Sequence, residues 1–374
     1  MNTSIAQNWQ HVQATLFPIL EPIVGPLTPK HQELITVLDF INPNRFIKYF
    51  QGLVGRPEKD RAPFIRAFIF KMIAQCPTTR ALIDRLKCDI TLRRICGWES
   101  RCAIPSEATF SRAFAEFSAT ELPSRIMETF VKEYHADRII GHVSRDSTAI
   151  EAREKVDKEW IKKKKQQKQE AKNKPKFKRG RPKKDEVRPP PDPAPLERQA
   201  SLTLSQMLEE LPNKCDIGCK KNAKGFTETW KGYKCHIDTI DGDIPVSCIL
   251  TSASMHDSMV GLPLSQITAK KLPNTCYELM DAAYDAQVIR DYISSNGRVP
   301  LIDFNHRGPK DQRCFAPHEA QRYKQRSSAE RANSQLKDNY GGCHIRVRGA
   351  AKVLCHLTFG LLVIAVVQTI RLIT

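Results

Sequence analysis

Between Glu151 and Arg198 the chain passes through KKKKQQKQEAKNK and then RPPPDPAP, too polar and too rich in lysine and proline to bury a face. Whatever core the protein builds must come from the residues on either side. Just before this stretch stands RIIGHVSRDSTAI, a β-branched run that reads as a strand, and further strand candidates follow it. A strand parted from its companions in this way makes residues 151–199 an insertion within a domain, expected to be mobile or only partly helical. The chain has 374 residues, 41% of them hydrophobic and 27% charged, which leaves ample material for packed domains.

Charge narrows the partner. The formal net charge is +18, and from Lys155 to Arg188 there are sixteen basic residues against five acidic ones. Such an excess suits a polyanion, with nucleic acid the leading candidate. Within the insertion, KRGRPKK at 178–184 resembles an AT-hook, whose two arginines, here Arg179 and Arg181, enter a narrow minor groove while Gly180 lets the backbone approach. The plainer alternative is a basic linker that adds phosphate affinity without sequence preference. The twelve cysteines form no clustered framework and MNTSIAQNWQ is no secretory signal, so a reduced, cytosolic chain is expected. Cys215, Cys219, Cys235 and His236 raise a zinc site, but two tight ligand pairs are missing and small buried cysteines are the preferred reading.

Residues 1–135 read as helical. Thr28 and Pro29 suit a helix cap and first position, and Phe64, Ile65, Phe68, Ile69 and Ile73 recur at helical spacing, as do Phe110, Phe114 and Phe117. Arg112 and its basic neighbours then face either solvent or DNA phosphates. Past the insertion, GYKCHIDTI and DIPVSCILTSA form a hairpin across Asp241 and Gly242, and YELMD and RVPLIDF supply two more strands. Helices are expected at 258–271, over AQVIRDYISSNG and over SSAERANSQLK. The stretch from Val353 to Ile370 is uncharged and long enough to span a membrane. Its His356 and Gln368, among helix-period apolar residues, favour a buried core helix, so no membrane is expected.

Three carboxylates fall at element ends: Asp146 closing the first strand, Asp281 closing YELMD, and Glu330 in the first turn of a helix. The same positions suit ordinary strand-end and capping acids. Brought together, they instead suit two divalent ions that activate a water or a 3′-hydroxyl for in-line phosphoryl transfer, and hard oxygen ligands favour magnesium, with manganese able to replace it.

The run YKQRSSAERANSQLK sets Tyr323, Arg326, Glu330 and Lys337 with two, three and six residues between them. This resembles the Tyr-Arg-Glu-Lys signature of bacterial insertion-sequence DDE transposases, and SRDST, GYKCH, SASMHDS and DAAYD resemble further motifs of that family. The resemblance implies an α/β fold: a ribonuclease H-like mixed five-stranded sheet flanked by helices, over 136–150 and 200–374. An all-α DNA-end recognition domain over 1–135 precedes it, and the insertion occupies 151–199. It implies Asp146, Asp281 and Glu330 as a metal-binding catalytic triad. Tyr323, Arg326, Lys337, Arg179, Arg181 and Arg112 would contact DNA, and His236 and His256 would border the metal. The partners implied are double-stranded transposon ends and target DNA, bound by a homodimer in the bacterial cytoplasm at the nucleoid. An inactive DNA-binding descendant is the alternative. Asp281 and Glu330 are only 49 positions apart, whereas many relatives carry a β-rich insertion there.

Overall fold

The β-branched run after Arg138 becomes the central strand of a mixed sheet in the computed structural model, which describes residues 3–47, 59–156, 158–173, 193–221, 225–306 and 313–372. The strands are β1 (Ile140–Glu151), β2 (Asp216–Lys221), β3 (Thr227–Ile240), β4 (Ile244–Ser252), β5 (Thr275–Met280) and β6 (Val299–Ile302). β1 runs antiparallel to β3 and parallel to β5, which in turn is parallel to β6. β4 pairs with the second half of β3 and β2 with its first half. Leaving β2 aside, the order β4-β3-β1-β5-β6 is that of the expected ribonuclease H-like sheet.

Two expectations need correction. The sheet has six strands rather than five, because β3 begins at Thr227 and pairs there with β2. Neither DIGCKK nor TETWK carries an apolar run, so backbone pairing defines both segments. Asp146, moreover, does not close its strand. β1 continues to Glu151, since Ser147 to Ile150 find partners from Tyr233 to His236 on β3. In the insertion, the helix Lys158–Asn173 sends Lys164 to an ion pair with Asp216, at 2.9 Å. Arg179 and Arg181 lie outside the described residues.

The helical region includes Pro29–Ile41, Ala62–Ile73, Thr79–Cys88, Ile90–Cys96, Glu107–Ala119 and Leu122–His135. Thr28 caps the first of these by accepting from the His31 N–H at 3.3 Å, and Pro29 supplies the fixed φ of its first residue. Phe64, Phe68, Phe110 and Phe114 stack edge-on, with centroids 4.8 to 5.9 Å apart.

The helix Ala350–Arg371 joins this region to the sheet. It packs against β4 on one side and against the helices Ala62–Ile73, Glu107–Ala119 and Leu122–His135 on others, giving one continuous apolar core. Length and apolarity would let it cross a membrane, but 89% of that apolar window is buried inside the protein. Its polar groups are paired as burial requires: His356 donates to the Gly341 carbonyl at 3.0 Å and the Gln368 amide donates to Gln335 at 2.8 Å. At Gly360 a Cβ would stand 2.5 Å from the Tyr340 carbonyl, so the close approach of chain and helix there requires glycine. Phe359 meets Phe68 and Phe114, with centroids 6.1 and 6.4 Å away. Phe359→Ala should cost about 3–5 kcal/mol, the usual loss for a buried phenylalanine, read as a lower urea midpoint with the slope unchanged. A slope that falls instead would mean that the two regions unfold separately.

Candidate active site

Parallel pairing sets the first two acids level. Ser144 of β1 faces Leu279 of β5, so Asp146 and Asp281 each lie two residues further along adjacent strands. Asp281 follows the last residue of β5 and accepts from the Ala283 N–H at 3.1 Å, capping a short turn. The helix Ser327–Asp338 packs across β1 and β3 and carries Glu330 in its first turn. One turn on, Asn333 donates its amide to Asp146 at 3.0 Å. The hydroxyl of Ser144 donates to the Gln325 carbonyl and that of Tyr323 to the Met280 carbonyl, both at 3.1 Å. The helix start is thereby tied to both acid-bearing strands.

Arg326 sits among the acids. Its guanidinium donates to Glu330 and lies 3.9 Å from Asp146. Burial is the main cause that lifts Asp146, to about 6, and the charges of Asp281 and Glu330 add to it while Ser147 and Arg326 oppose. Burial likewise raises Asp281, followed by the charge of Asp257. Burial pulls the other way on Arg326, but Tyr323, Glu330, Asp146 and Asp281 outweigh it and hold the guanidinium above its ordinary range. The three acids thus share one electrostatic field with one arginine among them.

The donor set, all carboxylate oxygen, suits a hard divalent cation. Among the described residues, however, no three His, Cys, Asp or Glu side chains converge closely enough to hold a metal ion together.

The other expected residues are placed as follows. Tyr323 is half-buried, and its hydroxyl is engaged with the backbone before Asp281 rather than free. Lys337 lies two turns beyond Glu330, lining a cavity of about 310 Å³ with Glu151, Lys220 and Trp230. Burial, then the charge of Lys220, lowers its pKa. Arg112 is exposed in the helical region, donating to Thr109 at 3.3 Å. His236 is fully buried beside Thr251 at 3.0 Å, and burial drives it down to about 3, so it is neutral. His256 is exposed and bonds Ser258 at 2.8 Å, at the start of the helix Ser258–Lys271. It does not touch the acids.

Asn333, Asp257 and Asp303 were not singled out by sequence reasoning. Asp257 stands 2.9 Å from Lys234 and 3.7 Å from His236, and acts on Asp281 through its charge, as does Asp303. The signal for Asp257 was SASMHDS, where the acid also suits a helix start. Asp238 is fully buried within β3 and bidentate to Arg145, with both distances 2.7 Å.

Two family models match the chain: the transposase DDE domain over residues 214–366 and a further transposase domain over residues 25–116. No curated protein and no solved structure gives a match.

Raising Asp146 also bears on stability. Because the folded state holds this proton up to about pH 6, against about 3.8 for the ordinary group, its contribution declines as the pH rises through that window. Asp146→Asn should therefore stabilise the protein by roughly 1–3 kcal/mol at pH 8, since the substituted amide still accepts from Asn333, and by nothing at pH 3.5. Thermal melting at both values tests this; an equal gain at each would deny that the charge is strained.

Proposed function

The chain belongs to the insertion-sequence DDE transposases, and from that premise we propose that it binds the terminal inverted repeats of its own mobile element, cleaves a DNA strand there and joins the freed 3′ end to target DNA. The observation that carries this reading is the grouping of Asp146, Asp281 and Glu330 around Arg326, on two adjacent parallel strands and the helix tied across them. Asp146, Asp281 and Glu330 would hold magnesium, or manganese in its place. When bound, the metal supplies Lewis acidity and an activated water or 3′-hydroxyl.

The chain's own residues do the rest. Asn333 fixes the orientation of the Asp146 carboxylate, and Ser144 and Tyr323 hold the turn that positions Arg326. Arg326 and Lys337 grip phosphates, so that the scissile bond lies against the acids rather than in solvent. Tyr323 lends its ring to the same wall. Lys234 orients Asp257, whose charge acts on Asp281, with neutral His236 beside it, and His256 fixes the neighbouring helix start. Arg112 in the helical region, and Arg179 and Arg181 in the insertion, grip the DNA along its length. Two ends must be held at once, so the working form is a homodimer on DNA, in the bacterial cytoplasm.

Glu330→Gln should lower magnesium-dependent cleavage of a DNA end by roughly a thousandfold, the equivalent of about 4 kcal/mol of lost transition-state stabilisation, and leave DNA affinity nearly unchanged. Cleavage at the wild-type rate would remove Glu330 from the chemistry. Absence of cleavage by both proteins on mapped ends would favour the DNA-binding descendant. Deletion of residues 160–190 should weaken DNA binding and make it less sensitive to salt, lowering the log–log slope by about one for each phosphate that the protein no longer neutralises. An unchanged slope in a salt titration would mean that the insertion does not touch DNA.

A further inference from the structure

Resting on the reading of the three acids as a cation site, we propose that Arg326 is a built-in counter-ion that keeps the site closed to metal until a DNA phosphate draws its guanidinium away. The geometry shows why one side chain can do this. Arg326 donates to Glu330 through one terminal nitrogen while the other lies 3.9 Å from Asp146, so its charge occupies the space between two of the acids. A divalent cation entering there would meet a fixed positive charge at short range, and its own ligands would already be engaged.

The release path is equally defined. Ser144 holds the Gln325 carbonyl and Tyr323 holds that of Met280, so the chain entering Arg326 is anchored and the turn need not move. Its side chain is 21% exposed and that of Glu330 is 53% exposed, which leaves both able to rotate toward solvent. A phosphate oxygen pair offers a guanidinium the same bidentate geometry as a carboxylate. Moving Arg326 from acid to phosphate returns two carboxylates to the metal. DNA and metal would then bind cooperatively, and hydrolytic chemistry would not start on a protein without its substrate.

The test uses Mn²⁺ alone as the probe, counted by the electron paramagnetic resonance of the free ion, with full-length protein with and without mixed-sequence duplex DNA. Wild type should bind Mn²⁺ weakly in the absence of DNA and about 5- to 150-fold more tightly with it, the range typical of coupling between two sites. Arg326→Gln should bind Mn²⁺ without DNA in that tighter range and gain little from DNA, and adding Asp146→Asn should abolish the gain. Arg326→Lys, which keeps the charge, should behave like wild type. Equal Mn²⁺ affinity for wild type and Arg326→Gln without DNA would overturn the counter-ion, while loss of binding in Asp146→Asn would still uphold the cation site. If neither Asp146→Asn nor Glu330→Gln alters Mn²⁺ binding under any condition, the cation site fails and the counter-ion with it.

Discussion

A guanidinium with no solvent exposure at all, that of Arg145, holds together the strands on which the acids stand. From β1 it is bidentate to Asp238 of β3 at 2.7 Å, reaches Glu278 of β5 at 3.4 Å, and donates to the Gly261 carbonyl at 3.0 Å. Thr268 adds a hydroxyl to Asp238 at 2.6 Å, and Ser265 and Arg298 satisfy Glu278 on its other oxygen. Taking four charges out of water is costly, and a well-packed apolar cluster of the same volume would be at least as stable. What the charges add is register. Side chains alternate along a strand, so Arg145 points into this cluster and Asp146 toward the opposite face. A slip of one residue would bury the carboxylate among Asp238 and Glu278 and expel the guanidinium, an exchange that no local adjustment could tolerate. The same cluster sets β1 against β5, and it is that pairing which levels Asp146 with Asp281.

The helices and the strands past the insertion were largely readable, because each is announced by its period and by its punctuation. Residues 258–271 are helical as expected although Pro263 lies inside that run, and SSAERANSQLK forms its helix with one residue to spare. The failures share a cause. β2 and the first half of β3 owe their conformation to each other, and polar segments that pair only across the sheet leave no trace in a single strand's pattern. A carboxylate followed by small polar residues usually marks a strand end, yet cross-strand hydrogen bonds carry β1 five residues past Asp146. Nothing local in HIDTI shows that Asp238 has a buried arginine for a partner rather than water.

The candidate site was legible in its acids and less so in what surrounds them. Helical spacing correctly put Arg326 beside Glu330, and the ion pair between them is the bland outcome that such spacing always allows. Spacing cannot show that the same arginine also faces Asp146, far earlier in the chain, because that approach depends on how the helix crosses β1. Nor can it separate Lys337 from the acids. Seven residues return a side chain to nearly the same face, but they also carry it about 10 Å along the axis, far enough to leave the carboxylates and reach Glu151 and Trp230. Asn333 has no signal of its own; a polar helical residue becomes a support for Asp146 only through packing.

The helix Ala350–Arg371 bears on how the two regions can work together. Domains joined by small polar interfaces move relative to one another, whereas a large apolar interface behaves as a core. Here the helix is buried nearly throughout, with Phe359 set among aromatic rings of the helical region and the facing side against β4. Separating the helical region from the sheet would expose that apolar surface to water, at roughly 25 cal/mol for each Å². The two regions therefore behave as one body. If the helical region grips a DNA end, the distance from the gripped bases to Asp146 and Asp281 is fixed by side-chain packing, and the cut falls at a set number of base pairs from the recognised sequence without any separate measuring device. What can still move is the side chain of Arg326, which is 21% exposed and, on the proposed function, stands where the DNA backbone would come to be cut.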